Sequence, residues 1–185
     1  MFELLLNTLI SGMLVGGFTI WGVRMTLRAQ GTQQEKESQR RYAEMPLRRE
    51  LDLLIDVKSK LVRFSDYVTY YADVREFTPE MLTQYRNHQY AFENAWSEAA
   101  YYLTLEGTVN ACYAAFRMVC THITCGMYYP LLKERFPESL NCDHQFTYEE
   151  RSDSLAEFYT AGARLEVELE KLIQRVYGKF HSIST

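Results

Sequence analysis

Hydrophobic positions along this chain fall into one long uncharged run followed by several stretches of helical rhythm. Leu4 to Val23 reads LLLNTLISGMLVGGFTIWGV, twenty residues without a charge, bracketed by Glu3 and Arg24. Twenty residues of helix span about 30 Å, the hydrocarbon thickness of a bilayer, so the run predicts a transmembrane helix. A buried core helix rarely runs that far without a charge. A cleaved signal peptide would carry a basic start and a small-residue cleavage site, whereas Glu3 stands near the start here.

From Arg24 to Glu44 the chain turns polar, rich in Gln, Glu, Lys and Arg, and predicts a helical stalk. Pro46 fits the first position of a new helix, where a missing N–H costs nothing. Leu47, Leu51, Leu54, Lys58, Leu61, Ser65, Val68 and Ala72 then alternate steps of four and three. Thr78-Pro79-Glu80 reads as an N-cap, a first-turn proline and a first-turn acid. Leu82, Tyr85, Gln89, Phe92, Trp96, Ala99 and Leu103 continue the rhythm until Glu106-Gly107-Thr108 breaks it.

A third run holds Val109, Cys112, Phe116, Val119, Ile123 and Gly126, and Leu131 to Phe136 adds a short turn. Pro137 to Phe146 is the longest loop. Thr147-Tyr-Glu-Glu150 is a capping box ahead of Leu155, Phe158, Gly162, Leu165, Leu169, Leu172 and Val176, with Gly178 as the expected C-cap. The expected fold is all-α: an N-terminal single transmembrane helix and stalk, then a cytoplasmic antiparallel four-helix bundle. The expected divisions are an anchor over 1–24, a basic juxtamembrane stalk over 25–45, the bundle over 46–180 and a tail over 181–185.

Charge sharpens this layout. Up to Arg49 the bases Arg24, Arg28, Lys36, Arg40, Arg41, Arg48 and Arg49 outnumber the acids Glu3, Glu35, Glu37 and Glu44. The remainder is acidic, and the whole chain is -4, which disfavours a nucleic-acid partner. All the flanking bases follow the uncharged run, so the positive-inside rule places the N-terminus outside and the C-terminal domain in the cytoplasm of an inner membrane. Trp21, Arg24 and Arg28 are the expected interfacial anchors, with membrane lipid as their partner. Ser11, Gly12, Gly16 and Gly17 form a GxxxG-type surface for association between helices, and predict a homo-oligomer. The four cysteines would then lie in a reducing compartment, without a disulfide framework.

Chemistry is thinly represented. Cys120, His122 and Cys125 with Cys142 and His144 are zinc-type ligands, but their spacing matches no familiar zinc module, and neither metal nor cofactor is expected. No nucleophile elbow, phosphate loop or HExxH occurs, and Glu166, Glu168 and Glu170 disperse around the last helix, so no enzyme is expected. Aromatics make up 14% of the chain, with 14 Tyr. Arg63, Tyr67, Tyr70, Tyr71 and Arg75 are the candidate partner or ligand contacts, since Tyr and Arg are enriched at interfaces and can equally stack on and clamp a small nucleotide.

Two functions are expected from these features. In the first, the chain is a bacterial membrane effector of the defence or toxin type, whose bundle senses a signal and whose clustered spans perturb the membrane. Small anchored proteins of this layout occur as toxins and as effectors of anti-phage defence, an analogy of architecture alone. In the second, it is a non-enzymatic membrane receptor or scaffold that recruits a cytoplasmic protein.

Overall fold

The computed structural model describes the backbone of residues 2–70, 74, 77–135 and 144–184, with side chains from residue 23 onward except at 135 and 184. The described residues are helical nearly throughout and contain no strand, giving a bundle-like all-α fold. In chain order the helices are α1 (Phe2–Tyr70), α2 (Pro79–Glu98), α3 (Ala100–Leu103), α4 (Gly107–Met127), α5 (Tyr129–Arg135) and α6 (Tyr148–Ser184). Two compact units divide the chain: Met1–Pro46 with Ile183–Thr185, and Leu47–Ser182.

Helix starts follow local chemistry. Thr78 stands in extended conformation before α2 and its hydroxyl accepts from the Met81 amide at 3.2 Å, a side-chain cap ahead of the first-turn Pro79. The capping box forms as expected: the Glu150 carboxylate accepts from the Thr147 amide at 2.8 Å, and the Thr147 hydroxyl accepts from the Glu150 amide at 3.3 Å. Two punctuation signals fail. Helix α1 runs through Pro46 instead of starting there, and α6 runs through Gly178 to Ser184. An interior proline forfeits one backbone bond, roughly 3 kcal/mol. The helix formers on both sides of Pro46 offset that cost. At Gly178 the following Lys179 and Phe180 continue the helix, because glycine permits a stop without compelling one.

Among the described residues, no helix is long and apolar enough to cross a membrane. The side chains of 1–22, including Ser11, Gly12, Gly16, Gly17 and Trp21, lie outside the described residues. From residue 23, α1 exposes Val23, Met25 and Leu27 and then sets charged and amide side chains on every face as far as Glu44, with Arg24 and Arg28 exposed. That stretch holds no apolar length for a bilayer to cover. These findings correct the expectation of a single-pass inner-membrane protein with its N-terminus outside. The membrane effector and the membrane-anchored receptor, both built on that span, fall with it.

In the unit Leu47–Ser182, the core is an aromatic seam. Phe64 meets Tyr85, Phe116 and Phe158 edge-on at centroid distances of 5.2, 6.0 and 5.6 Å, so α1, α2, α4 and α6 each send one ring to the same point. Phe92 extends the seam to Phe116 at 5.7 Å, and Leu54, Leu61, Leu103, Ile123, Leu165 and Leu169 complete it. Edge-to-face pairs add about 0.5–1.5 kcal/mol each beyond the burial of their area. At the end of α4, the Phe146 amide donates to the Gly126 carbonyl at 3.1 Å and the Phe146 ring covers Gly126 so closely that a Cβ there would collide with it. This contact seats the segment that delivers the capping box of α6.

Candidate interaction surface

The candidate partner contacts separate in the structure. Tyr67 is half-buried, donates its hydroxyl to the Met81 carbonyl at 2.8 Å and stacks on His88 at 4.8 Å, so it ties α1 to α2. Arg63 is exposed, and Tyr70 is 79% exposed. Tyr71 and Arg75 lie outside the described residues. Other tyrosines divide in the same way. Tyr85 and Tyr128 are core side chains, whereas Tyr101 stands in solvent against Tyr102.

The zinc-type ligands are dispersed too. Cys120 is buried, His122 lies against the Phe146 ring at 4.8 Å, and His144 contacts the Glu150 carboxylate at 3.0 Å. Cys142 lies outside the described residues. Among the described residues, no three metal-ligating side chains come together.

Polar groups with shifted titration are explained by packing. The Tyr85 hydroxyl donates to the Cys120 carbonyl at 3.2 Å, and Thr124 Oγ1 lies 2.7 Å from that carbonyl and 3.1 Å from the phenol. Burial, above all, raises Tyr85 well above the ordinary phenol range and pushes the Cys120 thiol far up, which suppresses its nucleophilic thiolate. Lys58 spans Glu166 at 3.6 Å and Glu170 at 2.7 Å, linking α1 to α6. The bond to Glu170 is the main reason that Lys58 is raised. Glu170 is lowered first by Gln174 and then by Lys58.

A different feature organises the outer side of α4 and α6. Two adjoining hollows, of about 440 and 350 Å³, lie along the seam between these helices. Cys112 and Arg164 line both. Ala115 and Val119 from α4 face Ala156, Thr160 and Ala161 from α6 across the larger one. Ala163 and Val167 line the smaller, and Val167 is 53% exposed. Small side chains on facing helices leave the seam unfilled, and its rim carries Glu157, Arg164 and Glu168. The result is an open apolar channel with charged edges, the shape a helical segment fills. A further hollow, of about 410 Å³, lies between α2 and α5 and is lined by Leu82, Arg86, Leu131 and Glu134.

The sequence held a signal for the α4–α6 channel that the core periodicity masked. Ala156, Thr160, Ala163 and Val167 repeat at steps of four, three and four beside the main apolar stripe of α6. A solvated face at those positions would carry charges. No protein-family model, curated protein or solved structure matches this chain.

Proposed function

We propose that this chain is a non-catalytic protein-binding module: residues 47–70 of α1, with α2, α4 and α6, form an antiparallel four-helix bundle that presents the α4–α6 channel to another protein. The short connections from α2 through α3 to α4 and the three rings that meet on Phe64 support the bundle. One observation carries the function, the unfilled apolar channel with charged edges on the outer seam. Interfaces take this form, with an apolar centre and a polar rim. Surplus acid outside the first 49 residues supports a protein partner over nucleic acid. Binding without chemistry fits the inert Cys120 thiol and the carboxylates tied up in ion pairs.

A photo-crosslinking residue placed at Val119 or Ala163 in cells tests the reading, with Arg63 and Tyr70 as comparison positions on α1. Discrete protein adducts from Val119 and Ala163 are expected. Adducts confined to Arg63 and Tyr70 would move the contact surface to α1 and contradict the proposal.

A further inference from the structure

Resting on that reading, we infer that the occupant of the channel is a second copy of this chain, whose α6 lies antiparallel along the α4–α6 seam of the first. The argument comes from the order of charges on α6. One side of it opens with exposed Asp153 and Glu157 and closes with exposed Lys171, Arg175 and Lys179, with exposed Arg164 and half-buried Glu168 between. An antiparallel copy brings the acidic half of one helix beside the basic half of the other. It also sets the two helix dipoles in opposition.

The register is specific. With the two-fold axis at the level of Glu166, Asp153 faces Lys179, Glu157 faces Arg175 and Arg164 faces Glu168, and symmetry makes each pairing twice. Glu166 stays clear of the axis because it turns toward Lys58 at 3.6 Å. Moving the axis between Val167 and Glu168 would set Arg164 against Lys171, a like-charge contact. Two exposed ion pairs already occupy part of this face, Lys171–Glu168 and Arg175–Glu106, both at 2.7 Å. Exposed pairs of this kind contribute little, so their exchange for pairs across the axis is not opposed. Between the charges stand Thr160, Ala163 and Val167, small enough for two helices to approach closely over the channel.

Charge reversal tests the pairing on the full chain, by sedimentation equilibrium across a micromolar concentration series. Wild type is expected to be a reversible dimer. Arg164→Glu and Glu168→Arg should each raise the dimer dissociation constant at least about tenfold, because each sets like charges against each other twice. Mixing the two variants should restore association. In the heterodimer the introduced carboxylate of one chain faces the introduced guanidinium of the other, and the native Arg164–Glu168 pair persists across the axis. The chain carrying both reversals should also dimerise. A circular dichroism melt of each variant confirms that the helices remain intact.

A full chain that stays monomeric, or single reversals that dimerise as wild type does, would overturn the inference. A monomer whose Val119 and Ala163 positions still give a discrete adduct overturns the second copy alone and leaves the protein-binding reading standing. A monomer without adducts removes both.

Discussion

The inner and outer seams of α4 and α6 are built from opposite materials. On the inner side Phe116 and Phe158 meet at 5.1 Å, and Gly162 lets α6 approach until a Cβ there would come 3.3 Å from the Phe116 ring. On the outer side Ala115, Ala156, Thr160 and Ala161 leave about 440 Å³ open. The same two helices thus complete their packing on one side and leave it unfinished on the other. A chain that needed only to fold would gain by filling both seams, since interiors pack to crystal-like density. If the outer seam is the proposed binding face, the contrast teaches that stability and recognition are assigned to separate faces, so that each can be changed without the other.

The largest effect that would break this contrast is at Phe116. Phe116→Ala should cost about 3–5 kcal/mol of unfolding free energy, read by denaturant melts, because it empties the ring cluster. Thr160→Trp, which fills the outer channel, should change the same melt by less than about 0.5 kcal/mol when both proteins are held dilute enough to be monomeric. It should nevertheless abolish association. A large loss of stability in Thr160→Trp would place that face in the core and end the comparison.

A middle-sized effect is expected at Gly126. Alanine there gains up to about 1 kcal/mol of helix propensity. The added methyl lands on the Phe146 ring, however, and ejecting or overpacking that ring costs about 1–3 kcal/mol. The net expectation for Gly126→Ala is a loss of about 1–2 kcal/mol in a thermal or urea melt, with dimerisation unchanged.

The smallest effect concerns acid. The Thr147 amide, first, and His144, second, hold the Glu150 carboxyl below its usual range. A folded value below the unfolded one means a stabilisation fully present above the unfolded carboxylate range. It is lost as the pH falls through the folded value. Glu150→Gln should therefore flatten the acid limb of the stability curve, measured as melting temperature from about pH 7 to about pH 3. A variant whose acid limb matches wild type would show that the capping box carries no linkage.

Much of the helical layout was legible because its signals are local. The Thr78 cap, the break at Glu106-Gly107, the Thr147–Glu150 box and the apolar rhythm from Leu155 to Val176 each act within a turn or two of helix. Pro46 and Gly178 misled because each expresses only a local preference for a boundary: the helix continues through Pro46 despite one lost backbone bond, and glycine at 178 permits a stop without compelling one. The candidate site was harder to read. Tyr67 looked like a contact residue, but its hydroxyl is consumed by the Met81 carbonyl fourteen residues away, a bond set by tertiary packing. The α4–α6 channel needs two helices brought side by side before its emptiness exists. Only the secondary stripe of Ala156, Thr160, Ala163 and Val167 announced it.

The most direct measurement is the alkylation rate of Cys112 in the native full chain, resolved by mass spectrometry over a range of protein concentrations. Cys112 lines both hollows, while Cys125 sits near the far end of α4 and serves as an internal reference. If a second copy covers the channel, Cys112 labelling slows as concentration rises and Cys125 labelling stays constant. A Cys112 rate that does not change with concentration would contradict the pairing.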